Sequence, residues 1–116
     1  MQVVNVSVKN IRPIHSNLKE WVESKDNLYV GRGGIVFING ERYPKEDSPF
    51  CNPFRIGRDG TREDVLRKYR EMLASNPALI TAFLEAARDK KYLGCWCKPD
   101  TCHADILAEI MVNRGK

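Results

Sequence analysis

Apolar and polar residues alternate along VVNVSV (3–8), a period of two that predicts a valine-rich first strand. In SNLKEWVESK the positions Leu18, Trp21 and Val22 fall on one side of a short helix, with Ser16 as its N-cap. NLYVGRGG reads as a short strand running into a glycine-rich turn. GIVFINGERYP then sets Asn39-Gly40 between two apolar-bearing runs, the strongest short cue for a hairpin. From Pro44 to Gly60 the periodicity lapses, and Pro49, Pro53, Gly57 and Gly60 punctuate a loop.

The second half changes period. Val65, Leu66, Tyr69, Met72 and Leu73 lie on one face at helical spacing, after Thr61 with Asp64 three residues on, a relative of the capping box. Asn76 and Pro77 cap and open a further helix with the stripe Leu79, Ile80, Phe83, Leu84 and Ala87. KYLGCWC is a short apolar run with the character of a buried strand. Asp100 or Thr101 caps a last helix that turns Ile106, Leu107, Ile110 and Met111 inward. Strands first, then helices around one more strand, predict a single α/β domain over 1–116, a short mixed sheet with about three to four helices packed on it. In such a fold ligands meet the carboxyl ends of the strands.

A chain of 116 residues can bury a core without disulfide staples, and 42% hydrophobic with 29% charged residues is globular composition. No apolar run approaches the roughly 20 residues of a membrane span, and the first residues lack the layout of a signal peptide, so a soluble, cytoplasmic protein without membrane association is expected. There, four cysteines are expected to be free, catalytic or metal-bound rather than paired. A net charge of +4 tilts the choice of partner toward an anion, a nucleotide or nucleic acid.

The densest chemistry is in LGCWCKPDTCHADIL (93–107). On a strand Cys95 and Cys97 share a face with Leu93, while Trp96 faces the other way. Cys102 and His103 fall in the first turn of the last helix, near its buried stripe, so the four side chains can converge. Three readings stay open. Cys95, Cys97, Cys102 and His103 supply the ligand types of a zinc site, though at an unusual spacing. Alternatively, Cys102 at a helix N-terminus beside His103 is an activated thiol. The third reading is plain packing, with cysteines as small apolar residues in a tight strand–helix junction.

Two other segments carry candidate chemistry. YVGRGG puts Arg32 between Gly31 and Gly33, where backbone and guanidinium can meet a phosphate or carboxylate. It has neither the spacing of a dinucleotide fingerprint nor the lysine of a P-loop. NPFRIGRDGTRED brings Arg55, Arg58 and Arg62 to the start of a helix, whose dipole also favours anions. A simple turn and a solvated, ion-paired loop are the bland alternatives. His15 reads as a surface residue and Trp21 as core.

Taken together, YVGRGG, NPFRIGRDGTREDVLRKYREML and LGCWCKPDTCHADIL resemble the domain of unknown function family 4326. Its marks are a Gly-Arg near the start, an Asn-Pro-Phe loop before a helix, and a Cys-Trp-Cys-x-Pro…Cys-His ending. The resemblance spans about residues 28–112 and implies shared roles for Gly31, Arg32, Asn52, Pro53, Phe54, Cys95, Trp96, Cys97, Pro99, Cys102 and His103. Where the family's loop has glycine this chain has Cys51, which marks Cys51 as incidental to a shared site. The hairpin near 34–47 looks like an added segment. The resemblance implies a site but no activity.

These readings combine into one expectation. A phosphorylated or nucleotide-like ligand sits among Gly31, Arg32, Gly33, Asn52, Pro53, Phe54, Arg55 and Cys97. If chemistry follows, as transfer or hydrolysis, Cys102 and His103 carry it and Arg32 clamps the anion. The rival is a zinc-stabilised module, non-catalytic, that binds nucleic acid or another protein.

Overall fold

The computed structural model describes residues 1–98 and 100–114. Pro99, singled out by the family resemblance, lies outside the described residues. Three parallel strands form the main sheet: β1 (Gln2–Asn5), β2 (Asn27–Tyr29) and, between them, β5 (Tyr92–Cys95). The antiparallel pair β3 (Val36–Ile38) and β4 (Glu41–Tyr43) stands apart as a hairpin. The α/β class is as the sequence predicts, with the two strand orientations segregated into separate sheets rather than mixed in one.

Helices cover both faces of the main sheet. On one side α1 (Val8–Ile11) and α2 (Leu18–Glu23) bury Ile11, Leu18 and Trp21 against Val6 and Tyr29. On the other α3 (Arg62–Ala74), α4 (Pro77–Ala87) and α5 (His103–Arg114) pack Tyr69, Leu73, Phe83, Ala87 and Leu107 around Leu93 and Cys95. Strand alternation divides β5 between the layers: Leu93 and Cys95 belong to the second core, while Gly94 backs onto Trp21 and Val6. Parallel sheets covered on both faces are the usual arrangement, because their crossovers place helices there.

Local chemistry explains most element boundaries. Thr61 and Asp64 form the full reciprocal capping box of α3, and Asn76 caps α4 ahead of Pro77. Asn39 and Gly40 take positive φ values of 53° and 81°, the twist that a two-residue hairpin turn requires. Three boundaries differ from the sequence pattern. The first strand stops at Asn5 instead of reaching Val8, because the Asn5 side chain accepts the Ser7 N–H and Ser7 then starts a helical turn. Asn17, not Ser16, caps α2, accepting the Glu20 N–H. The last helix starts at His103, one or two residues later than the predicted caps imply, and Asp105 accepts the Cys102 N–H at 2.9 Å.

Candidate functional site

Parallel strands end together, so the carboxyl ends of β1, β2 and β5 deliver Asn5, the segment after Tyr29 and the segment after Cys95 to one edge of the sheet. A cavity of about 580 Å³ opens there, within the size range of small-molecule sites. Gly31 and Arg32 line one side, Asn52, Phe54 and Arg55 a second, and Arg62 with Cys95, Cys97, Cys102 and His103 a third. Gly33 and Pro53, expected at the site, are not on its wall. Gly33 instead lies against the backbone of Glu46, where a Cβ would come within 2.5 Å, and donates its N–H to Asp47.

The walls are held by side chain–backbone bonds. Arg32 Nη2 donates to the carbonyls of Asn52 and Phe54 at 2.9 and 3.2 Å, tying the glycine turn to the Asn-Pro-Phe loop. Asn52 is buried; its Oδ1 accepts the Phe54 N–H and its Nδ2 donates to Val65 of α3. Arg32 and Asn52 are therefore scaffold as well as lining. Asn5 Nδ2 donates to Trp96 and Lys98, fixing the loop that carries Cys97. Trp96 donates to the Tyr29 hydroxyl, which donates to Arg32, so all three strand ends are cross-linked. Burial pushes the Tyr29 phenol up to about 12, so it stays a donor at neutral pH.

Cys95 and Cys102 are 1% and 2% exposed and their sulfurs lie 2.9 Å apart. Cys97 is half-buried on the cavity wall. The facing thiol of Cys102, then that of Cys95, then the Arg62 guanidinium hold the Cys97 thiol far below its usual range. The thiols of Cys95 and Cys97 push Cys102 the opposite way, helped by burial. The cluster thus favours a thiolate at Cys97 and a protonated thiol at Cys102. Iodoacetamide alkylation of Cys97 is expected to stay flat between about pH 6 and 9, its thiolate being fully formed, whereas Cys51 should speed up with each pH step. Burial raises the Cys51 thiol, which makes it the internal contrast. A Cys97 rate that climbed in parallel with Cys51 would contradict this assignment.

His103 is buried, edge-on to Tyr69 with ring centroids 5.3 Å apart, and its Nε2 lies 2.6 Å from the Val30 carbonyl. A carbonyl only accepts, so Nε2 carries the proton and Nδ1 keeps its lone pair. Burial lowers the imidazole pKa and favours this neutral form. The donor set does not assemble a metal site: among the described residues no group of three or more His, Cys, Asp or Glu is placed to hold an ion. Two thiolates on a tetrahedral zinc at about 2.3 Å would sit roughly 3.8 Å apart, wider than Cys95 and Cys102.

Several lining or supporting residues escape sequence reasoning. Asn5 looks like one polar step of an alternating strand; only the pairing of β1 with β5 gives it a role. Ile35 and Ile56, both exposed, form apolar parts of the cavity wall, and Cys51, expected to be incidental, lines it too.

A 63-residue stretch is 38% identical to the "Uncharacterized 12.4 kDa protein in nrdA-td intergenic region" of Enterobacteria phage T4, covering 51% of this chain and 56% of that protein. The chain thus spans little more than half the length of that relative. No solved structure matches. No helix is long and apolar enough to cross a membrane among the described residues. The family described as "Domain of unknown function (DUF4326)" matches residues 14–113, and the chain belongs to it.

Proposed function

We propose that this domain binds a phosphorylated, nucleotide-like small molecule at the carboxyl edge of its parallel sheet and acts on it, as a transferase or hydrolase, through the Cys97 thiolate. The carrying observation is that Arg32, Arg55 and Arg62 line the same cavity as that thiolate. The arginines suit phosphate oxygens, and Phe54 and Ile56 suit the apolar part of a nucleoside. Cys97 replaces Cys102 as nucleophile in this reading, because Cys102 is buried and protonated. Cys97 would displace a leaving group from the bound ligand, and water or an acceptor would then release the covalent intermediate, with His103 Nδ1 available to take a proton.

Arg55 gives the cleanest test. Among the described residues its guanidinium has no hydrogen-bond or ion-pair partner, so its removal leaves the scaffold intact. In calorimetric titrations, nucleoside mono- and diphosphates should bind while the unphosphorylated nucleosides do not. Arg55→Ala should weaken binding about 10- to 100-fold with an unchanged Tm. Equal behaviour of nucleosides and nucleotides would refute the reading.

A further inference from the structure

The cavity holds more sulfur chemistry than a single nucleophile uses. Two buried thiols, Cys95 and Cys102 with sulfurs 2.9 Å apart, share the cavity wall with the more exposed Cys97. We propose that Cys97 and Cys102 are a dithiol couple that reduces hydroperoxides, Cys97 meeting the peroxide in the cavity and Cys102 closing a disulfide behind it. The couple is independent of nucleotide binding, since the peroxide needs only the open cavity.

In the first step the Cys97 sulfur attacks the terminal peroxide oxygen. An S–O bond forms, the O–O bond breaks, and the departing alkoxide or hydroxide takes a proton to leave as alcohol or water. Arg62, which lines the cavity beside Cys97 and whose Nη1 donates to the Thr101 carbonyl at 3.0 Å, places positive charge where that oxygen leaves. In the second step the Cys102 sulfur attacks the Cys97 sulfenic acid, forming the S–S bond and expelling hydroxide. The Cys102 proton passes to that hydroxide, which leaves as water. Two thiols lose two electrons and the peroxide gains them. Closure removes the Cys97 nucleophile until an external thiol reduces the bond.

Exposure decides between the available pairs. Cys95 and Cys102 are closest, but their 1% and 2% exposure leaves little sulfur surface for attack, whereas Cys97 is half-buried on the same wall, so oxidation enters through Cys97. Cys51 lies on the opposite loop, where it lines the cavity without a sulfur neighbour in the cluster.

The test is hydrogen peroxide added to the full reduced chain, read by free-thiol titration and peptide mass spectrometry. The wild type should lose two thiols and 2 Da, with the bond mapped to Cys97–Cys102. Cys97→Ser should slow thiol loss by at least about tenfold. Cys102→Ala should stop at a sulfenic acid on Cys97 that dimedone traps. If either variant unfolds, the mapped bond in the wild type decides alone. The proposal is overturned by a Cys95–Cys102 bond forming at the wild-type rate in Cys97→Ser. It is equally overturned by direct conversion of Cys97 to sulfinic acid without a disulfide, or by one equivalent of bound zinc that shields the thiols until chelation.

Discussion

Gly94→Ala should destabilise the domain by about 1–3 kcal/mol, and Gly94→Val by more, because the added carbon has nowhere to go. An alanine Cβ would sit 2.5 Å from two ring carbons of Trp21 and 2.7 Å from a Val6 methyl. Neither neighbour can retreat. Trp21 is 4% exposed and lies in α2, pressed between the sheet and Leu18, while its carbonyl holds the buried Asn27 side chain. Val6 is fully buried. Relief must come from shifting α2 or the central strand, and the strand carries Cys95 into the site. Thermal melts followed by tryptophan fluorescence should show a fall of several degrees in Tm, with altered Cys97 alkylation if the strand moves. An unchanged Tm would mean that α2 packs far more loosely than its burial indicates.

Arg32→Ala should cost about 2–3 kcal/mol of stability as well as ligand affinity. The sequence suggests a solvent-facing anion clamp whose loss spares the fold. The structure instead puts its Nη2 on two carbonyls, those of Asn52 and Phe54, which the variant would leave without their donor. Arg32→Lys should recover little, since one ammonium lacks the planar fork that spans both acceptors. Differential scanning calorimetry of Arg32→Ala beside Arg55→Ala separates scaffold from pure ligand contact. Equal melting temperatures for the two would restore the free-clamp role.

Which features were legible follows from the range of the forces that set them. The α3 capping box, the α4 cap and proline, and the Asn39-Gly40 turn are decided within a few residues, and the sequence shows each directly. The clustering of Cys95, Cys97, Cys102 and His103 is nearly local, requiring only a strand, a short loop and a helix start. Beyond that, pairing governs. Nothing in VVNVSV tells that Asn5 will support a loop more than 90 residues away, since its bond to Lys98 spans a separation of 93. The choice of Cys97 over Cys102 was equally hidden: a helix N-terminus favours a thiolate at Cys102, but burial and hydrogen bonding reverse the order. The predicted caps at Asp100 and Thr101 failed for a related reason. Asp105 binds the Cys102 N–H from inside the helix and leaves the earlier residues to Arg62, which reaches both of them.

The place of β5 in the sheet has a consequence for biosynthesis. Among the described residues β1 and β2 do not touch one another in the ladder; each pairs with β5, which follows them by more than 60 residues. A nascent chain emerging from the ribosome therefore holds two unpaired strands until β5 has been made, and the sheet must close in a single event at that point. Nascent lengths short of residue 92 should remain open to protease and chaperone, and resistance should arrive abruptly once β5 and the following helix are free of the exit tunnel.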